Sequence, residues 1–457
     1  MKIRVFALMA ALLLLGSSVL SLVACADKDP VVETAPDTVA ETETETQPEI
    51  ETETETEVET EPPYDWKPTN ADASKLNDLM LSIFSGNTVR EETVMFIDKG
   101  DVKDLLYPIK EVKSVTSYDG TITYTAGVDY EVVDGKLKVP ANSSINCITS
   151  EVYYNYNDSA LTGVLLTQNG KNIFWGEGKI QNYQIRVTYT HESTWSGYAQ
   201  ESQLQVFDSF VKKLDAGEDV TVVFYGDSIT HGASASWLTG SAPYQYPYSI
   251  LFTQALADLF GYTVHYVDDY SKQSSVSLLE GAPIVPAEDY VAGERGTITY
   301  INTAVGGWDS LTAAQQAQKY LYEPIARYGC DLVVLALGMN DGDSNISNII
   351  LQMINGVHSV DPDAVAAVVS TMMPHPKTNW DGAQKNQEKY LLNMAEQARE
   401  KGKNVAVVCM NSVSKDILKT KTFNDCTGNN INHPNDFFCR VYAQTLLQAI
   451  IGYENLE

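Results

Sequence analysis

Hydrophobic and polar positions change period along this chain, and each change marks a different kind of structure. From about residue 70 to 202 the apolar positions alternate with polar ones over short runs, at 121–124, 130–133, 136–139 and 184–189. Period two with Asp-Gly, Asn-Gly and Pro between the runs predicts short antiparallel strands. Asp134-Gly135, set between two such runs, predicts a hairpin turn. After residue 202 the period becomes helical, with Leu204, Phe207, Phe210, Val211 and Leu214 on one face. Short β-branched runs then alternate with helix-length stretches. The strands are expected at 220–225, 263–267, 297–302, 331–337, 364–371 and 405–409, and the helices at 248–259, 309–320, 344–357, 384–401 and 436–451. This alternation predicts a mostly parallel sheet covered by helices on both faces, a three-layer α/β/α domain. The chain therefore divides into an all-β sandwich or jelly-roll-like region over 69–201 and an α/β domain over 202–457. A long polar stretch at 268–296 interrupts the alternation and reads as a loop that would shape substrate choice if it folded over a site.

The first 68 residues follow neither period. Lys2 and Arg4 precede an apolar run over 5–23, which reads as an export signal over 1–25. The closing Leu22-Val23-Ala24-Cys25 resembles a bacterial lipobox, which implies cleavage before Cys25 and lipidation of its thiol. The expected location is extracytoplasmic, on the membrane surface through that anchor. Residues 26–68 are rich in Thr and Glu, and twelve acids with no base lie between 31 and 62. Like charges at that density have no apolar face to bury and predict an extended linker. About 40 residues reach on the order of 130 Å when stretched. The net charge of −29 argues against nucleic acid as a partner, because binding phosphates needs clustered Lys and Arg.

The candidate chemistry gathers at strand ends. The run VTVVFYGDSITHG at 220–232 is a buried strand that breaks at Gly226, Asp227 and Ser228, which puts a hydroxyl at its carboxyl end. In open α/β sheets the ligand crevice lies there. NTAVGGW at 302–308, LVVLALGMND at 332–341 and INHPND at 431–436 follow. In this order the four segments resemble the SGNH, or GDSL-type, hydrolases, and the resemblance covers about residues 202–453. It implies Ser228 as nucleophile and His433 as its base, with Ser228, Gly307 and Asn340 as oxyanion donors. His375, also after a strand, is the competing histidine. The family's usual aspartate three residues before the histidine is replaced here by Asn430. The base would then be oriented by Asn430, by a backbone carbonyl, or by another acid such as Asp425.

The remaining residues add little chemistry. Cys147, Cys330, Cys409, Cys426 and Cys439 are odd in number and form no CxxC pair; a bridge between Cys426 and Cys439 would pin the histidine loop, and the pairing is left open. No residue cluster has metal-ligand spacing, so neither metal nor cofactor is expected. Tyr153, Tyr154, Tyr156, Trp175 and Trp195 are either core aromatics or rings for stacking sugars. The expected protein is a secreted, lipid-anchored serine esterase that deacetylates a carbohydrate polymer. The alternatives are a lipase or thioesterase for small acyl esters, and a catalytically weak surface glycan-binding protein.

Overall fold

The computed structural model describes residues 64–156, 167–168, 171–269, 285–342, 344–378 and 385–456. The export signal, Cys25 and nearly all of the acidic linker lie outside the described residues, as does most of the polar stretch at 268–296.

The β-rich region contains β1 (Thr88–Met95), β2 (Val102–Lys103), β3 (Glu111–Ser117), β4 (Glu131–Val133), β5 (Lys136–Lys138), β6 (Thr167–Gln168), β7 (Lys171–Asn172) and β8 (Gln184–Thr190). β8 lies between β1 and β3, β5 lies between β2 and β4, and β6 pairs with β7. Asp134 and Gly135 both have positive φ, 51° and 75°, as a two-residue hairpin turn between β4 and β5 requires. The run at 121–124 is the return of a turn, bridged to β3 at Thr116–Thr123. β1 was not expected from the pattern. It carries a bulge between Val89 and Glu92, and it buries Glu92 and Thr93 beside Val94 and Met95, so its apolar positions do not alternate.

The α/β half is built on β9 (Val220–Gly226), β10 (Thr263–Tyr266), β11 (Tyr290–Val291), β12 (Thr297–Asn302), β13 (Leu332–Ala336), β14 (Val365–Val369) and β15 (Val405–Val408). They form a seven-stranded sheet in the order β11-β10-β12-β9-β13-β14-β15, parallel except for the edge strand β11. β11 lies within the stretch read as a polar loop. β9 is central and wholly buried, because its residues supply both layers. Val220, Val222 and Phe224 pack with the helices Leu204–Ala216, Tyr248–Phe260 and Asp436–Ile451, whereas Val223 and Tyr225 face Ser310–Ala317, Ser347–Val360 and Gln387–Arg399. Each such side chain contributes about 1.5–3 kcal/mol by leaving water. This is the three-layer arrangement that the strand–helix alternation predicts.

Packing does not stop at residue 201. Val94, Phe96, Val115 and Val187 of the β-rich region share one core with Phe437, Phe438 and Leu446 of the last helix. The two regions thus hold each other, and a loop of the first can reach the sheet ends of the second.

Candidate active site

Three strand ends meet at the centre of the sheet. β9 pairs in parallel with β12 and β13, with Phe224 opposite Asn302 and Gly226 opposite Ala336. Beyond the strands the chain stays tied: Val305 N donates to Gly226 O (3.0 Å), and Asp227 N donates to Ala336 O (3.3 Å). Ser228 begins a short helix, Ser228–His231, whose N-cap is Asp227; the Asp227 carboxylate accepts from Ile229 N at 2.9 Å. Burial pushes Asp227 up to about 6, so it serves as a cap in a dry site. Burial likewise depresses His231 to about 4, and its Nδ1 lies 3.4 Å from Ala304 O.

His433 reaches this point from a loop closed on itself. Thr427 bridges Pro434, and Gly428 N donates to His433 O at 3.0 Å. Asn429 is the clamp of the loop: its Oδ1 accepts from the backbone N–H of Ile431 (2.9 Å), Asn432 (3.1 Å) and His433 (3.1 Å). The result is a 2.8 Å hydrogen bond between His433 Nε2 and Ser228 Oγ. The other ring nitrogen, Nδ1, is hydrogen-bonded to Glu177 Oε1. That carboxylate also accepts from Ser234 Oγ at Oε2 and from Asn429 Nδ2 at Oε1 (2.9 Å). Serine, histidine and acid are therefore in line, with the acid supplied by the β-rich region.

The electrostatics follow from that line. Burial favours neutral His433, but the Glu177 charge and hydrogen bond outweigh it and hold the imidazole above its ordinary value. Burial pushes the Glu177 carboxyl up, whereas His433, Ser234 and Asn429 pull it further down, so it lies below the usual range. An acid that stays ionised beside a basic imidazole is the arrangement needed to fix the Nδ1–H tautomer and support an imidazolium.

Neither orienting residue expected from the sequence is in that position. Asn430 sits in the left-handed region at φ 61°, and its amide donates away from the base to Tyr153 Oη (2.9 Å) and Phe174 O (2.8 Å). Asp425 closes a capping box with Thr422 and pairs with Lys103 at 2.7 Å. Both are framework residues. Glu177 lies far from the histidine motif in the sequence, and its local signal is a lone carboxylate between two glycines, Gly176-Glu177-Gly178, after the aromatic pair Phe174-Trp175. Gly176 and Gly178 have φ of 138° and 68°, and Gly176 N donates to Asn429 O at 3.1 Å, so this turn is pinned to the histidine loop.

The expected oxyanion residues lie on the neighbouring strand ends. Gly307 has φ 81°, and a Cβ there would meet nothing within 4 Å, so its conformation rather than a close approach calls for glycine. Asn340 Nδ2 donates to Trp308 O at 3.0 Å, which couples the β12 and β13 loops and leaves the second amide hydrogen for another acceptor. His375 takes the Lys377 N–H on Nδ1 (3.1 Å) and lies against Phe423 at 4.9 Å, a loop role apart from the Ser228–His433 pair. All five cysteines from Cys147 onward are free thiols, so no bridge joins Cys426 to Cys439. Tyr153 and Trp175 are buried, in one cluster with Phe174 and Ile431 and with Tyr154 and Tyr156 packed against it; Trp195 lies 5.3 Å from Phe84. These rings support the histidine loop and the core.

The clamp has a measurable consequence. Asn429→Asp keeps an acceptor for the three backbone N–H groups but puts a carboxylate in place of the amide that donates to Glu177, and the added negative charge favours the imidazolium. Because the base works only when neutral, the acid limb of the kcat/KM profile is expected above pH 6.5 in the native protein and higher still in the variant. A pH–rate profile of both proteins checks this, and an unmoved limb would show that Asn429 does not act on the base.

No protein-family model matches the chain, and no curated protein matches it. Among solved structures it is similar to a two-domain esterase active on acetylated mannans, co-crystallised with mannopentaose (16% identity, 57% of this chain, 56% of that one, TM-score 0.39). It is also similar to a lipolytic G-D-S-L family protein from Veillonella parvula (12%, 50% and 97%, 0.33) and an acetylxylan esterase from Geobacillus stearothermophilus (11%, 52% and 95%, 0.35). The chain spans just over half the length of the two-domain esterase.

Proposed function

We propose that the chain is an SGNH-type serine ester hydrolase that removes acyl groups, foremost acetyl, from carbohydrate at the cell surface. The observation that carries the reaction class is the unbroken line Ser228 Oγ, His433 and Glu177 at the carboxyl ends of a parallel sheet. In the reaction Ser228 attacks the acyl carbon while His433 Nε2 takes its proton. The oxyanion is held by Ser228 N–H, Gly307 N–H and the Asn340 amide, each such donor lowering the barrier by about 2.7–4 kcal/mol. His433 then gives the proton to the leaving alcohol, and water, activated the same way, releases the acid and frees Ser228.

The carbohydrate preference and the place of action are supported by the sequence: an export signal, a lipobox ending at Cys25 and a linker long enough to cross a wall layer. Two or more acyl chains at Cys25 would hold the protein on a bilayer. The test is labelling and turnover. A fluorophosphonate should add its mass to the peptide containing Ser228, and the same protein should release acetate from acetylated xylan or mannan. Labelling without acetate release would leave a small-ester hydrolase; neither result would leave the glycan-binding alternative.

A further inference from the structure

A recess of about 390 Å³ opens beside the acid of the triad, where the turn after β3 faces the segment Gly178–Ile185 and the residues Ser241 and Ala242. Its volume falls in the range of small-molecule sites. Its floor is tied to the catalytic line: Gln181 Nε2 donates to Ser234 O (2.8 Å) and to Tyr118 Oη (3.2 Å), and Ser234 Oγ donates to Glu177. Gly178, the residue after Glu177, lines one end. The recess is therefore bonded to the acid of the catalytic line, while Ser228 and His433 are not among its lining residues.

The lining specifies a ligand. No lysine or arginine is among its residues, and its one carboxylate, Asp119, is engaged by Ser117 Oγ (2.5 Å) and Thr121 N (3.0 Å). The other polar groups of the lining are neutral: the Asn146 amide, which donates to Asn182 O (3.0 Å), the Asn182 amide, the Ser241 hydroxyl, hydrogen-bonded to Thr239 Oγ1 (2.9 Å), and Tyr124 and Tyr183. Among the described residues no hydrogen bond ties up the Asn182 side-chain amide or the Tyr183 hydroxyl. The Tyr183 ring is itself fixed, edge-on to Phe174 at 5.6 Å. Uncharged donors and acceptors around held aromatic faces suit a neutral polyhydroxylated ring, with hydroxyls for the amides and C–H faces for the tyrosines.

We propose that this recess is a sugar subsite that holds a residue of the glycan backbone on the Glu177 side of the site, apart from the residue carrying the ester. The proposal rests on the carbohydrate esterase reading and adds where the polymer runs: over the β-rich region, through residues other than Trp175 and Trp195. The β-rich region then supplies both the acid and part of the substrate surface.

The experiment uses the full chain with two kinds of ester, p-nitrophenyl acetate and a length series of acetylated xylo- and manno-oligosaccharides. Asn182→Ala removes an exposed amide, and Asn182→Trp fills the recess. For oligosaccharides of three or more sugars, KM is expected to rise about 3- to 10-fold in the first variant and further in the second, while p-nitrophenyl acetate kinetics stay within about twofold of native. That unchanged small-ester rate also reports that each variant is folded. Native-like oligosaccharide kinetics in both variants would overturn the subsite and leave the esterase reading standing. Absence of turnover of every acetylated sugar by the native protein, with p-nitrophenyl acetate still cleaved, would overturn the carbohydrate reading and the subsite with it.

Discussion

Replacing Ser228 with alanine is expected to lower kcat on an acetylated sugar by about 10⁶-fold, and replacing Glu177 with glutamine by about 10⁴-fold. The first change removes the attacking oxygen. The second keeps shape and hydrogen-bonding capacity but loses charge, and a glutamine amide can present an N–H to His433 Nδ1, which forces the proton onto Nε2. The base then points a proton, not a lone pair, at Ser228 Oγ across the 2.8 Å contact. Because the three groups act as a unit, the double variant should be no worse than Ser228→Ala alone. Steady-state kinetics on the three proteins, with melting temperatures to verify folding, measure this. A Glu177→Gln enzyme within tenfold of native would show that the carboxylate does not orient the base.

The origin of Glu177 changes what the β-rich region is for. Residues 202–457 contain the serine, the histidine and the strand ends that carry the oxyanion donors, yet the acid enters from a turn between β7 and β8. A β-rich region serving only to bind polymer would be separable from the chemistry. Here the Gly176–Gly178 turn is bonded to the histidine loop through Asn429 and to the serine's own turn through Ser234. The region is part of the Ser228–His433–Glu177 constellation.

How far the sequence disclosed this depended on the range of the interaction being read. The α/β alternation was legible because strand and helix periods are local and β9, β13, β14 and β15 are continuous apolar runs. Ser228 and His433 were legible because each lies in a compact motif at a strand or helix end. β1 escaped because a buried ion pair put Glu92 where an apolar residue is expected, and because its bulge broke the alternation. Glu177 escaped because its partner is 256 residues away and no local pattern encodes that distance. Asn430 illustrates the same limit from the other side. The family resemblance gives its position to an orienting aspartate, but its positive φ turns the amide toward Tyr153 and Phe174.

The ion pair that hid β1 also gives the largest expected effect on stability. Lys421 and Glu92 are fully buried, and Lys421 Nζ additionally donates to Thr93 O at 2.9 Å. Beside them Asp425, paired with Lys103, accepts from Met95 N at 2.8 Å. Burial alone would raise the Asp425 carboxyl; Lys103 and Lys421 reverse this and hold it down to about 2. A folded-state value below the unfolded one means that this carboxylate stabilises the fold above about pH 4 and ceases to do so as the pH falls through about 2. Lys421→Met removes one charge and strands Glu92 in the core, which costs about 3–5 kcal/mol. The urea midpoint should fall with its slope unchanged, and a loss below about 1 kcal/mol would show that Leu106 N and Tyr189 Oη, which donate to Glu92 at 2.9 and 2.8 Å, hold its charge unaided. The damage should not be only thermodynamic. Thr93 Oγ1 and Asn435 Nδ2 both donate to Asp425 O, and Asn435 caps the last helix two residues after His433. Loosening the pair therefore loosens the base, and kcat should fall in the variant at temperatures where it is still folded.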